Sequence, residues 1–184
     1  MFYFVRQNLF EALDMIEVVG HTEVTGALLW TRGVRFDAPV PLQTLQLDPR
    51  YGGRFPDLFD TTVPLMSDRL IARLHATGIS NFDVYPVRLA HPVTGEVRDD
   101  YSAINLVGRV DAVDRASSPH RLRFGKPMFT GSVVLDADRT EGLEAFRLVH
   151  GPDFIVVSER VAEQLRDGGF AGLLIQPTTQ FTGT

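Results

Sequence analysis

The chain has 184 residues, 44% hydrophobic and 22% charged, ordinary proportions for one globular domain with a core large enough to fold unaided. It has no cysteine, which excludes disulfides, thiolate nucleophiles and cysteine metal sites, and no stretch approaches the roughly 18–20 apolar residues that cross a membrane. With 18 basic against 23 acidic residues the net charge is −5, a poor basis for gripping nucleic acid and a better one for solubility or for meeting a basic partner.

The opening Met1–Arg6 puts aromatics ahead of the first charge, unlike a secretory signal, so a cytoplasmic location is expected. Residues 2–6 read as a short strand. Residues 7–24 are acidic and aperiodic, with Glu11, Asp14, Glu17 and Glu23. Residues 26–30 read as strand, and 37–56 as short strand pieces and turns rich in Pro, Gly and Asp. Ser67 then suits a helix N-cap, with Asp68 in the first turn and Met66, Leu70, Ile71 and Leu74 at helical spacing. Gly78 suits the left-handed residue that ends it.

Residues 81–90 read as a strand broken or bulged at Pro86, and 91–96 as a turn with Gly95 at positive φ. From Ser102 onward Ile104, Leu106 and Val110 alternate with Asn105, Arg109 and Asp111, the pattern of a half-buried antiparallel strand. Residues 114–131 read as a loop holding the basic cluster Arg115, Arg121, Arg123 and Lys126. Residues 132–135 read as strand, and 141–149 as either helix or strand. Phe154–Val157 reads as a buried strand. Ser158 caps a second helix that Gly168-Gly169 ends, and Leu173–Ile175 is the last strand, closed by Pro177. The polar residues from Thr178 are expected to fray.

The two helical units match at a constant offset of 91 residues, without a gap. Ser67-Asp68-Arg69 corresponds to Ser158-Glu159-Arg160, Leu74 to Leu165, Gly78 to Gly169 and Pro86 to Pro177. Shared helix-to-strand grammar and internal duplication both explain this. On either account each helix lies on a sheet, with Leu74 and Leu165 buried alike. Arg69 and Arg160 sit where the helix dipole disfavours a cation, so each is expected to find a carboxylate.

Phe59-Asp60, Pro64–Arg69 with its helix to Gly78, Tyr85–Val87, Asp100–Gly108, and Val156–Arg160 with Leu165 and Gly169-Phe170 together resemble a family of bacterial immunity proteins from polymorphic-toxin systems. That family was long catalogued as a domain of unknown function. The resemblance spans about residues 55–177. It implies a protein that binds a cognate toxin inside the producing cell and blocks it. The toxin is expected to be encoded by an adjacent gene, with no nucleic-acid or membrane partner.

No catalytic constellation, cofactor loop or metal motif emerges. His21, His75, His91, His120 and His150 lack ligand spacing, Asp136 and Asp138 read as turn formers, and Ser158 lacks the glycines of a nucleophile elbow. No cofactor or metal is expected. Many immunity proteins act as acidic decoys, and Asp99, Asp100, Tyr101, Arg109, Asp111 and Asp114 are the candidate partner-binding set, with Glu96 beside them. The competing reading is a solvated sheet face. Trp30, Tyr51, Phe55 and Tyr101 could serve as interface anchors or as core. A small-molecule or hydrolytic enzyme with a cleft near residues 99–123, using Asp99, Asp100, His120 and Arg121, and an assembly module are the alternatives.

The fold expected is α+β: a mostly antiparallel sheet with two short capped helices in similar helix–strand units. One domain is expected over 1–184, with room for two lobes: an N-terminal part at 1–56, a core at 57–177 and a tail at 178–184.

Overall fold

The computed structural model describes residues 1–8, 15–19, 30–50, 53–61, 63–151 and 153–183. The expectations placed on Glu11, Asp14, His21, Glu23, Tyr51 and the strand at 26–29 lie outside these residues. In chain order the strands are β1 (Phe2–Gln7), β2 (Val18–Val19), β3 (Gln43–Leu47), β4 (Leu58–Phe59), β5 (Leu65–Ser67), β6 (Phe82–Ala90), β7 (Val97–Arg98) and β8 (Tyr101–Leu106). They continue with β9 (Arg109–Val110), β10 (His120–Arg123), β11 (Lys126–Phe129), β12 (Ala145–Leu148), β13 (Ile155–Ser158) and β14 (Leu173–Pro177). Helix α1 (Asp68–Ala76) follows β5 and α2 (Glu159–Arg166) follows β13.

The fold is mixed α/β and dominated by strands. One sheet runs β14-β1-β13-β12-β9 and the other β2-β3-β6-β8-β5-β4, with β7 paired to β6. Both sheets are mixed, because β9 runs parallel to β12 and β3 parallel to β6; the expected mostly antiparallel sheet is corrected to that extent. Parallel pairs need long connections, and the long segments 48–81 and 111–144 supply them here.

The helices form as their sequences dictate. The Ser67 hydroxyl accepts from Leu70 N at 3.3 Å, and the Ser158 hydroxyl from Val161 N at 3.4 Å, each satisfying an otherwise orphaned helix donor. Leu70, Ile71 and Leu74 on α1 and Val161, Ala162 and Leu165 on α2 recur at three- and four-residue spacing, and all are buried. Gly78 and Gly169 follow with φ of 85° and 56°, which spares a side chain the left-handed penalty. Leu74 and Leu165 share one core cluster with both sheets. Truncating either to Ala would cost about 2–5 kcal/mol.

The two units repeat well beyond helix grammar. The strand order β6-β8-β5-β4 is matched by β14-β1-β13-β12. Registers match as well. Phe82 opposes Leu106 and Pro86 opposes Ser102 in one sheet; Leu173 opposes Gln7 and Pro177 opposes Tyr3 in the other. Met66 lies between Leu58 and Ser102 as Val157 lies between Ala145 and Tyr3. Cap and stop signals cannot set the register of strands contributed from elsewhere in the chain, so this is a structural repeat. The central strand closes its unit in one half (β8) and opens the chain in the other (β1).

Several expectations are corrected. Strand β6 continues through Pro86; β3 joins only from Val87, so among the described residues no strand pairs with that side at Pro86, where proline is tolerated. Strand β8 is buried on both faces: Asn105 is 0% exposed and donates to Val34 O at 2.8 Å, because residues 33–34 cover the face expected to be wet. Pairing breaks at Gly108 (φ 113°), where the chain leaves one sheet for the other; a Cβ there would stand 2.7 Å from Leu143 Cδ1. Residues 132–135 form no strand beyond a single bridge from Leu135 to Val113. The ambiguous 141–149 segment contains β12. Residues 178–183 do not fray: Thr178 O accepts from Val133 N at 2.8 Å, and Phe181 packs edge-on to Phe4 at 5.5 Å. The tail's polar residues had masked that anchor.

Candidate functional site

Asp57 precedes β4 and is buried. Its carboxylate accepts from the Ser67 hydroxyl, from Arg69 Nε at 2.7 Å and Nη2 at 3.0 Å, and from Ala171 N at 2.7 Å. Arg69 goes on to Gly169 O at 2.7 Å and lies 4.8 Å from the Phe170 ring centre. Glu144 stands in the same place before β12. It accepts from Ser158 at 3.1 Å and from both ends of Arg160's guanidinium, with Nε at 2.8 Å. Arg160 also donates to Thr77 O at 2.8 Å. Each arginine therefore ties its own helix start to the other helix's end. The expectation that Arg69 and Arg160 each find a carboxylate is met, and the helix-dipole cost is offset locally.

Beside Asp57 lies an open cleft of about 550 Å³. Its wall carries Arg98, paired with Asp100 through Nε at 3.0 Å and stacked 4.1 Å from the Phe55 ring centre. Arg98's hydrogen bond holds the Asp100 carboxyl below its usual range, and Asp100 raises the Arg98 guanidinium in turn. Tyr101 also lines the cleft, but its ring is buried and its hydroxyl donates to Pro56 O at 2.8 Å. Burial first, and the Asp100 charge second, push its phenol well above the normal value. Asp99, His120 and Arg121 do not line this cleft, so the four residues of the enzyme alternative are not gathered in it.

The six candidate partner-binding residues do not form one patch. Asp99, Asp100 and Tyr101 stand at one end of β8, whose length puts about 17 Å between them and the Arg109 group. Arg109, exposed, lies along β12 and donates to Leu148 O and, at 2.8 Å, to Val149 O. Asp111 pairs with Arg115 at 3.2 Å and with His150 at 3.9 Å; burial and then the Arg115 charge push the His150 imidazole below its usual range. Asp114 caps its own turn, accepting from Ala116 N at 3.0 Å, and the Ser117 hydroxyl chiefly lowers its carboxyl. Of the possible anchors, Trp30 and Tyr101 are core residues, and Phe55 is half-buried under Arg98.

At a third place Asp60 and Arg147, equivalent positions of the repeat, face the same cleft of about 290 Å³ with Asp153. Burial raises the Asp60 carboxyl and lowers the Arg147 guanidinium.

The basic segment expected to be a loop is a β-hairpin. Arg121 opposes Met128, Leu122 opposes Pro127 and Arg123 opposes Lys126 around Phe124-Gly125. Both central residues take positive φ, 51° and 74°, the mirror-image turn that matches strand twist. Its base is fixed by Phe129 in the core, Thr130 N on Pro119 O at 2.9 Å and Val134 N on the Ser118 hydroxyl at 2.9 Å. Its tip is open: Leu122 is 71% and Phe124 91% exposed. Sequence reading missed it because Phe-Gly is not the usual Asn-Gly hairpin signal.

A family model described as Immunity protein family (Imm11) matches residues 33–179. No curated protein matches the chain.

Proposed function

The chain belongs to the Imm11 immunity protein family, and on that premise we propose that it binds a cognate bacterial toxin in the cytoplasm of the producing cell and neutralises it without catalysis. Family membership carries this reading. Its physical support is a surface held rigid from beneath. The Asp57–Arg69 and Glu144–Arg160 networks clamp both helix ends, and the hairpin is pinned at its base. A preorganised surface loses little entropy on docking, which favours the high affinity that neutralisation demands.

The toxin is taken to be the product of an adjacent gene. Co-expression of the two tests the proposal. Restored growth together with a stable co-purified complex supports it; toxicity undiminished and no complex would overturn it.

A further inference from the structure

The strongest unexplained surface is the hairpin β10–β11. Its turn needs two residues at positive φ, for which Asn and Gly are suited and a bulky aromatic is not. Phe124 occupies the first of these positions at φ 51° and is 91% exposed, its ring meeting the neighbouring Arg123 guanidinium at 5.6 Å and otherwise open to solvent. Strain at an exposed residue is a sign of selection for contact with something else. The hairpin's two faces also differ. Leu122 pairs with Pro127 on one, while Arg121, Arg123 and Lys126 share the other with Met128. No Asp or Glu occurs between Arg115 and Leu135, although the chain's net charge is −5. Arg121, Arg123 and Lys126 make no ion pair with any described residue. The carboxylates Asp100 and Asp111, in contrast, are already paired within the fold.

We infer that the 120–129 hairpin is the toxin-docking element, inserting Phe124 into an apolar recess on an acidic surface of the toxin while Arg121, Arg123 and Lys126 meet the carboxylates around it. This rests on the immunity reading and names the chemistry of its partner surface. Charge complementarity of this kind steers association, and a central aromatic supplies the anchor. Nucleic acid fits the hairpin less well, because three cations on an acidic chain make a short basic stripe and no extended basic face.

Two variants separate docking from folding. Phe124→Asn installs the preferred turn residue, so it leaves the melting temperature unchanged or raises it while removing the anchor. Arg121→Glu/Arg123→Glu/Lys126→Glu reverses the exposed charges. The probe is the adjacent gene's toxin, released from the co-purified complex by denaturant and refolded, with binding followed by interferometry at two salt concentrations. Phe124→Asn is expected to weaken binding by about 30-fold or more. The triple reversal is expected to slow association by about 10-fold or more and to abolish its salt dependence. Wild-type binding with both variants equally tight would overturn the inference and leave the immunity reading intact; no binding or protection by wild type would overturn both. Hairpin-dependent binding of a labelled single-stranded RNA or DNA oligonucleotide, with toxin affinity unaffected by either variant, would assign the element to nucleic acid instead and also overturn the inference.

Discussion

Asp57 and Glu144 hold the same position in the two halves, each one residue ahead of a β-strand and each binding the cap serine and first-turn arginine of the neighbouring helix. Their surroundings differ. The Asp57 side chain is 7% exposed and that of Glu144 39%. An ion pair is worth little when water can replace a partner, and removing a partner is costly when water cannot. Arg69→Ala should therefore destabilise the fold by about 2 kcal/mol, since Asp57 would keep only its serine and backbone donors. Arg160→Ala should cost distinctly less. Urea midpoints of the two variants check this; equal shifts would contradict it.

The Glu144 carboxyl is held below its ordinary value of 4.5, chiefly by Arg160's hydrogen bonds. A depressed carboxyl contributes stability that is present above the unfolded value and lost as pH falls through the folded one. Wild type should thus lose melting temperature below about pH 4.5 more steeply than Arg160→Ala, in which that contribution is gone. Thermal melts from pH 7 down to pH 3 measure the difference in slope.

Tyr101 has the opposite sign. Its phenol is raised by burial, so the stability of keeping it neutral is complete below the unfolded value, near 10, and is lost as pH rises above it. Tyr101 should ionise only as the protein unfolds. Absorbance at 295 nm during alkaline titration reads this directly. Tyr101→Phe should remove that delayed ionisation, at the cost of the hydrogen bond to Pro56 O.

Gly108→Ala should destabilise by about 1–3 kcal/mol, combining a left-handed backbone with crowding against Leu143. Leu143→Ala in the same chain should restore only the crowding part. Denaturant titration of the two variants separates the contributions; a neutral Gly108→Ala would show that the sheet-to-sheet crossing tolerates a side chain.

Local signals survived into the structure where the physics is local. Ser67, Ser158, Gly78 and Gly169 act through neighbours three or four residues away, so their roles were readable from spacing. The equivalence of β1 and β8 was not readable. Phe2–Gln7 and Tyr101–Leu106 are both central strands yet share no residue at equivalent positions, and only β8 is overlaid by residues 33–34, with Asn105 bonded to Val34 O. The same cover defeated the alternation that placed Asn105 in solvent. Among the candidate partner residues, Tyr101 read as an anchor because aromatic side chains serve cores and interfaces alike; only its bond to Pro56 O and its burial separate the two.

The place of β1 has a consequence for how the chain reaches its native state. The half built from β4, β5, α1, β6 and β8 draws on one contiguous stretch and can assemble while synthesis continues. Strand β1 is made before any of it, yet its partners are Ile155–Ser158 and Leu173–Pro177. Until those emerge, Phe2, Tyr3, Phe4 and Val5 have no sheet to enter. Such non-local pairing folds slowly, so the second half can close only once β13 and β14 have been made, against a first half whose strands are already available.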